Sequence, residues 1–161
     1  MTGGTITRNQ ATEDGGGVYV DTYGTFTVSG APEITDNKKE VIQNNVFLAN
    51  GQAITITGTL GEASIGVTME NPGTFTTGVN FSDREAARNV FSSDQGYEIN
   101  LTSLGQATTA VAEVTVGDTT TGYASFDSTV SAWNSAADGA LLRLLTDVKV
   151  SNVINVILKC I

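Results

Sequence analysis

Acidic side chains in the first third of the chain come nearest to a catalytic pattern. Hydrolysis of a glycosidic bond needs two carboxyl groups that converge across a cleft, about 5 to 9 Å apart. Nothing in the spacing of these acids pairs two of them in that way, so we interpret them as solvated charges in turns. The candidate acids, together with a basic residue near them, are Glu13, Asp14, Glu33, Asp36 and Arg8.

A metal site is the second kind of chemistry to consider. The turn at 13–17 combines two acids with three glycines, but it lacks the regularly spaced Asp ligands of calcium-binding loops. The chain has no His, and Cys160 is its single cysteine, which excludes a multi-cysteine zinc site within it. We therefore expect no metal and no cofactor, and we interpret Cys160 as a small buried apolar residue.

Surface recognition is the third possibility. Tyr23 lies in a predicted turn and could stack on a sugar, although core packing and simple exposure are the alternatives. Thr-x-Thr triplets could order water if they formed a flat array. The alignment described below does not stack them in two clean columns, so we assign these Thr to the polar outer face of strands.

Composition indicates a β-rich chain. Its 161 residues include 24 Thr, 18 Gly, 16 Val and 12 Asn but only 2 Pro. A net charge of −9 argues against binding to the phosphate backbone, so we expect no nucleic-acid partner. No run approaches the roughly 20 apolar residues of a membrane span. The chain stops within an apolar run, 153–161, from which we expect it to be a piece of a longer protein.

An internal repeat organises the first sixty residues. When the sequence is shifted by 28 positions, the apolar residues of short β segments coincide without gaps. Alternation with Thr places the apolar residues on one face of each strand. We predict a solenoid in which each repeat forms one turn and equivalent strands stack in parallel. The coinciding pairs are Ile6 with Ile34, Val18 with Val46, and Phe26 with Ile54.

Asn9 and Asn37 occupy equivalent bends in the two repeats. An inward Asn at a bend can hydrogen-bond to the turns above and below it, as in an Asn ladder. The alternative is an ordinary surface Asn in each bend. We favour the ladder because the spacing repeats.

These segments resemble the repeats of surface-exposed right-handed parallel β-helices of bacteria. The resemblance covers about 3–68, and it includes the Gly-Gly-Thr-Ile start, the Ile-x-x-Asn motifs and the Gly-rich turn before Val18. Similar repeats occur in polymorphic outer-membrane proteins and in large surface proteins of gut Firmicutes, which have the pectin-lyase-like fold. The resemblance implies an adhesin, a stalk or a carbohydrate-associated module. The second repeat departs from the pattern, since Gln-Asn-Asn at 43–45 replaces the triple Gly.

The segment at 70–112 is predicted to cap the solenoid. Ser82 and Glu85 match a capping box, and apolar residues at helical spacing follow, which predicts a helix over 83–91. Two alternating segments, 97–101 and 106–111, flank a turn and predict a β-hairpin. A solenoid end needs such a cover over its core and its unpaired backbone.

The last third, 113–161, is predicted to begin a second β-helix module. A strand from Glu113 leads to a polar turn and then to a helix whose apolar face carries Phe126, Val130, Trp133 and Ala137. Asp-Gly at 138–139 would end this helix. The strand at 140–148 resembles the first strand of such a module, in which a helix plugs the open end. The predicted domains are therefore 1–69, 70–112 and 113–161.

Together these features predict an all-β protein, a right-handed parallel β-helix fragment with short capping helices and a hairpin. We expect a non-enzymatic structural or adhesive segment of a bacterial cell-surface protein, located outside the cell. The alternative is a carbohydrate-binding module or a fragment of a polysaccharide-active β-helix enzyme. Expected partners are host or environmental glycans or proteins, and end-to-end self-association is a further expectation.

Overall fold

A computed structural model describes residues 1–146 of the chain. The predictions for Cys160 and for the end of the strand at 140–148 lie outside the described residues. Strands make up 45% of the structure, alongside two short helices. The all-β class expected from the composition is therefore confirmed.

The strands are β1 Gly3–Thr7, β2 Gln10–Ala11, β3 Val18–Val20, β4 Phe26–Thr35, β5 Lys38–Lys39, β6 Ile42–Gln43, β7 Val46–Leu48, β8 Ile54–Leu60, β9 Ser64–Met69, β10 Thr76–Gly78, β11 Phe91–Ser93, β12 Asn100–Leu101, β13 Ala107–Thr108, β14 Ala112–Val116, β15 Thr119–Tyr123 and β16 Leu141–Leu144. The helices are α1 Arg84–Val90 and α2 Phe126–Ser135.

The chain divides into two compact units. Met1–Thr109 is called here the solenoid unit, and Ala110–Ile161 the second unit, which the structure describes as far as residue 146.

The solenoid unit is a parallel β-solenoid of about three turns, which confirms the predicted β-helix architecture. Its register reproduces the 28-residue repeat. Strands β1 and β4 align Ile6 with Ile34, and β3 and β7 align Val18 with Val46. Strands β4 and β8 then align Phe26 with Ile54. The 28-residue repeat is therefore the number of residues in one turn of the solenoid, from β1 to β4 or from β3 to β7.

The third turn is shorter than the first two. Ile34 pairs with Ile65 and Val46 pairs with Val67, so the twelve positions from Ile34 to Val46 correspond to two positions in β9. Strand β9 therefore runs straight past the bend that separates β4 from β7. This shortening explains why the 28-residue periodicity fades after residue 68.

The core lies inside the stacked strands, as the alternation of apolar residues predicts. Its central members are at most 1% exposed, and burying each such side chain contributes roughly 1.5–3 kcal/mol. First-turn residues at the same positions pack on this core but are only partly buried, since no turn covers them on one side. The central set is Val28, Ile34, Val46, Ile54, Ile65 and Val67; the first-turn set is Ile6, Val18 and Phe26.

A helix and a hairpin follow the third turn, as predicted. Helix α1 buries Ala87 and Val90, and β12 pairs with β13 in an antiparallel hairpin that is shorter than expected. Phe75 and Phe91 are buried here, with their rings edge to face at a centroid distance of 5.3 Å. The predicted N-cap, Ser82, is wrong. Asp83 caps the helix instead, because its carboxylate accepts a hydrogen bond from the Ala86 amide at 2.8 Å.

The second unit contains helix α2 and a three-stranded antiparallel sheet in the order β15-β14-β16. Val130 is buried in α2, while Phe126 and Trp133 are partly buried. Trp133 Nε1 donates a hydrogen bond to the carbonyl of Ala140 at 3.0 Å.

Two sequence-based expectations for this unit need correction. Helix α2 ends at Ser135, so Ala137 lies beyond the helix and is exposed instead of belonging to its apolar face. Strand β16 pairs antiparallel with β14, Leu142 opposite Val114, instead of starting a parallel turn. The short connection from α2 returns the chain along β14 in the opposite direction.

Candidate functional site

A ladder of side-chain amides joins successive turns of the solenoid unit. Asn9 Nδ2 donates to Asn37 Oδ1 at 2.8 Å, and the Asn9 backbone amide donates to the same oxygen at 3.1 Å. Asn37 is fully buried, and its own Nδ2 donates to the carbonyls of Ile6 and Thr35 at 2.8 and 2.9 Å. The structure therefore places both predicted Asn residues in one inter-turn network.

The ladder continues through two residues that the sequence analysis missed. The Asn37 backbone amide donates to Asn45 Oδ1 at 2.8 Å, and Asn45 Nδ2 donates to Asp94 Oδ1 at 2.7 Å. Thr68 Oγ1 also donates to Asp94, to its Oδ2 at 3.0 Å. Each side-chain oxygen of the ladder thus accepts a hydrogen bond from the member before it, and the ladder ends on a carboxylate.

Two glycines make room for the ladder. A Cβ at Gly66 would collide with Asn45 Nδ2 and Asp94 Oδ1, and one at Gly17 would lie 2.8 Å from Asn37 Nδ2. Gly66 sits in β9 between Ile65 and Val67, where the third turn has no bend of its own. Because this position has no side chain, Asn45 reaches across the third turn to Asp94. A Gly between two inward apolar residues of a strand was the sequence signal for this crossing.

The bends before the ladder have unusual backbones. Arg8 and Asp36 stand one turn apart, immediately before Asn9 and Asn37, and have φ of 58° and 57°. Residues other than Gly rarely adopt this left-handed region, and bulky ones do so least. The two bends therefore hold an Arg and an Asp where Gly would fit with less strain.

A small three-stranded sheet lies beside these bends. Strand β5 pairs with β2 on one side and with β6 on the other. Lys38 is the register partner of both Gln10 and Gln43, so these three residues form one cross-strand row. The next row contains Lys39, whose side chain lies on the opposite face because strand residues alternate.

An open groove of about 310 Å³ lies between the bends and this row. Ligand-binding pockets have volumes from about 300 Å³ upward, so this groove is at the lower end of that range. Within residues 1–146, the side chains of Arg8, Asp36 and Lys38 form no ion pair and no hydrogen bond. The lining residues are Arg8, Asn9, Gln10, Asp36, Lys38 and Gln43.

The other acids considered in the sequence do not converge on this groove. Asp14 pairs with Lys39 Nζ at 3.0 Å and accepts a hydrogen bond from Asn44 Nδ2 at 3.1 Å. The hydrogen bond with Asp14 raises the pKa of Lys39 above its ordinary value. Glu33 accepts a hydrogen bond from Thr5 Oγ1 at 3.3 Å. Among the described residues, Asp36 is the one carboxylate that lines the groove.

The tyrosines lie elsewhere on the surface. Tyr23 is 96% exposed in a turn, away from the groove lining. Tyr19 is 55% exposed and stacks on Phe47 of the next turn, with a centroid distance of 5.3 Å and an interplanar angle of 7°. The sequence analysis did not predict this stack, although a shift of 28 positions aligns Tyr19 with Phe47, as β3 and β7 do.

The described part of the chain holds no group of three or more His, Cys, Asp or Glu arranged to bind a metal ion. No helix among these residues has both the length and the apolar character to cross a membrane. Comparisons of the chain with models of protein families, with curated proteins and with solved structures give no match.

Proposed function

We propose that this chain is a structural and adhesive segment of a bacterial cell-surface protein and performs no catalysis. The observation that carries the proposal is the amide ladder from Asn9 to Asp94. Its polar side chains hold one turn to the next, and Asn37, Asn45 and Asp94 have their hydrogen-bonding groups engaged in that role. Such a stack supplies stiffness and surface, which are the properties that a stalk or adhesin needs.

The location outside the cell is supported by the sequence. The Thr-, Gly- and Asn-rich repeats resemble those of bacterial surface β-helices over about 3–68. The single cysteine, Cys160, means that such a segment would depend on strand stacking instead of internal disulfides.

The non-enzymatic part of the proposal is supported by how the acids are used. Asp14 is held by Lys39 and Asn44, and Glu33 by Thr5. Asp36 is thus left as a single groove carboxylate among the described residues, where glycoside hydrolysis needs two.

The first turn offers a surface for stacking. Strands β1 and β3 each pair with a neighbour on one side only, and Asn9 Oδ1 accepts no hydrogen bond within residues 1–146. An Asn from another turn could donate to Asn9 as Asn9 donates to Asn37. End-to-end association of two copies through this edge is therefore part of the proposal, and the molecular mass in solution measures it.

The second candidate is a carbohydrate-binding module, or a fragment of a polysaccharide-active enzyme. The groove beside the bends favours binding, because its charged and amide side chains have free hydrogen-bonding capacity.

Incubation with pectin, alginate and a panel of host glycans separates these functions. We expect saturable binding to some of these glycans and no increase in reducing ends. Reproducible cleavage that is abolished in Asp14→Asn or Asp36→Asn would refute the non-enzymatic proposal. Saturable binding without cleavage supports adhesion.

A further inference from the structure

We propose that the groove between the bends and the β2-β5-β6 sheet binds an acidic saccharide through its carboxylate. Arg8 and Lys38 pair with the carboxylate, while Asp36 accepts hydrogen bonds from hydroxyl groups. The inference deepens the proposed adhesive function by naming the ligand class and the place where it binds.

The charges of the groove point to an anion. Its lining has two cations and one acid in a chain whose net charge is −9. The other basic side chains of the described residues are engaged. Lys39 pairs with Asp14, Arg88 with Glu98 and Arg143 with Glu113, and Arg84 also has a partner. Arg8 and Lys38 thus remain available to a ligand.

The neutral groups of the groove favour a saccharide among anionic ligands. Gln43 presents an amide with no side-chain hydrogen bond among residues 1–146, and Gln10 keeps its Oε1 free while its Nε2 donates to the Glu40 carbonyl at 2.7 Å. Amides and a carboxylate accept hydrogen bonds from hydroxyl groups, which a saccharide carries on every ring. A polyanion such as nucleic acid would meet Asp36 and the negative charge of the whole chain.

The backbone at Arg8 is a second, independent observation. Gly would adopt φ of 58° without strain, whereas Arg does so at a cost. Backbone strain of this kind concentrates at functional sites, where a particular side chain is needed. Arg8 lines the groove together with Lys38. A guanidinium binds a carboxylate through two parallel hydrogen bonds.

The experiment is an NMR titration of the whole chain with a hyaluronate tetrasaccharide at low ionic strength. We expect shifts of the backbone amide signals of 8–10, 36–38 and 43. The carboxyl-reduced tetrasaccharide, which is neutral, should bind about tenfold more weakly or worse, because the charge-assisted hydrogen bonds are lost. Sodium acetate and a short single-stranded DNA serve as comparison ligands.

Two variants and a matched control test the assignment of residues. Lys38→Gln and Arg8→Gly should each weaken binding about tenfold. Lys39→Gln makes the same change of charge at the adjacent residue on the opposite face, and it should leave binding within about twofold. Arg8→Gly should also keep or raise the melting temperature, because Gly relieves the strained backbone, so its loss of binding cannot be attributed to unfolding.

Each contrary result overturns a specific part of the proposal. Equal binding of the neutral tetrasaccharide, equal loss in Lys39→Gln, or shifts at Tyr23 instead of the groove would refute the acidic-saccharide site. Equal shifts with acetate alone would show an adventitious ion only. Tighter binding of DNA would refute the saccharide and indicate a nucleic acid as the ligand. None of these results bears on catalysis. Cleavage of a glycan would refute the proposed non-enzymatic function but would not refute this binding site.

Discussion

Asn45 donates two hydrogen bonds to Asp94, one from its backbone amide and one from Nδ2, each 2.7 Å long. The two residues are separated by 49 positions, and their contact bridges the shortened third turn. A carboxylate accepts hydrogen bonds but cannot donate them. Asp94 therefore ends a ladder in which the side-chain oxygen of each member accepts a hydrogen bond from the member before it.

Replacing this terminal carboxylate tests its role. In Asp94→Asn the charge-assisted hydrogen bonds from Asn45 and Thr68 become neutral, and one carboxylate oxygen becomes an NH2 group that cannot accept. We expect the free energy of unfolding to fall by about 1–3 kcal/mol, measured by urea denaturation. Glu62→Gln removes an equal charge at an exposed residue of the same unit and should change it by less than about 0.5 kcal/mol. Equal losses in both variants would contradict a specific role for Asp94.

The ladder also predicts that substitutions at its two equivalent bends, at Asn9 and at Asn37, lower the free energy of unfolding by unequal amounts. Asn37→Ala removes hydrogen bonds to four residues: the carbonyls of Ile6 and Thr35, Asn45 Oδ1, and the Asn9 side-chain and backbone amides. We expect a loss of about 2–4 kcal/mol in urea denaturation. Asn9→Ala, at the exposed end of the ladder, should cost less than about 1 kcal/mol. If the two substitutions cost the same, the bends act as separate surface turns.

Gly66 predicts a steric effect on the same network. In Gly66→Ala the new methyl group must displace Asn45 Nδ2 and Asp94 Oδ1, and overpacking of this kind costs about 1–3 kcal/mol. Gly61→Ala is the matched control, because a Cβ there meets nothing within 4 Å. Thermal unfolding of the two variants measures the difference. A Gly66→Ala protein as stable as the control would show that the ladder can shift at no cost.

The sequence predicts the solenoid where the turns keep equal length. Ile6, Val18 and Phe26 each recur after 28 positions, so self-alignment finds their partners directly. It cannot find Asp94, because β9 replaces twelve positions of the second turn with two, and the residue that receives the ladder is of a different type. The groove was missed for a related reason. Lys38 lies one repeat after Gln10 and pairs with it in β2 and β5. Gln43 joins them only through the β5–β6 hairpin, which apolar periodicity does not reveal.

The direction of β16 in the second unit is another feature that the sequence pattern did not predict. Leu141–Leu144 has the apolar character of a strand, and its existence could be predicted. Whether a strand pairs parallel or antiparallel depends on the length of the connection before it, and the end of α2 was placed two residues too late. The resemblance to a second module therefore suggested parallel stacking, whereas β14 and β16 are antiparallel.

Helix α1 should respond to acid through its N-cap. The hydrogen bond from the Ala86 amide, assisted by Ser82, lowers the pKa of Asp83 below its ordinary value of 3.8. A lowered folded-state pKa means that the cap stabilises the helix fully above pH 3.8 and stops doing so as the pH falls through the lowered value. Asp83→Asn also caps a helix but does not titrate. We therefore expect the difference in stability between the two proteins, followed by urea denaturation as the pH is lowered, to shrink only below pH 3.8. A difference that already changes between neutral pH and about pH 5 would contradict this assignment.

The segment after the third turn is expected to be necessary for folding of the solenoid unit. It contributes Phe75 and Phe91 to the core, and strands β10 and β11 pair with β8 and β9. Deletion of 70–112 would expose these strand edges and the core beneath them, and exposed edges favour aggregation. We expect the deletion variant and the 1–69 fragment to aggregate, as measured by light scattering. The 1–109 fragment, which keeps every contact of the solenoid unit, is the control and should unfold cooperatively. A soluble 1–69 fragment with a cooperative unfolding transition would show that the stacked turns are stable without the segment that follows them.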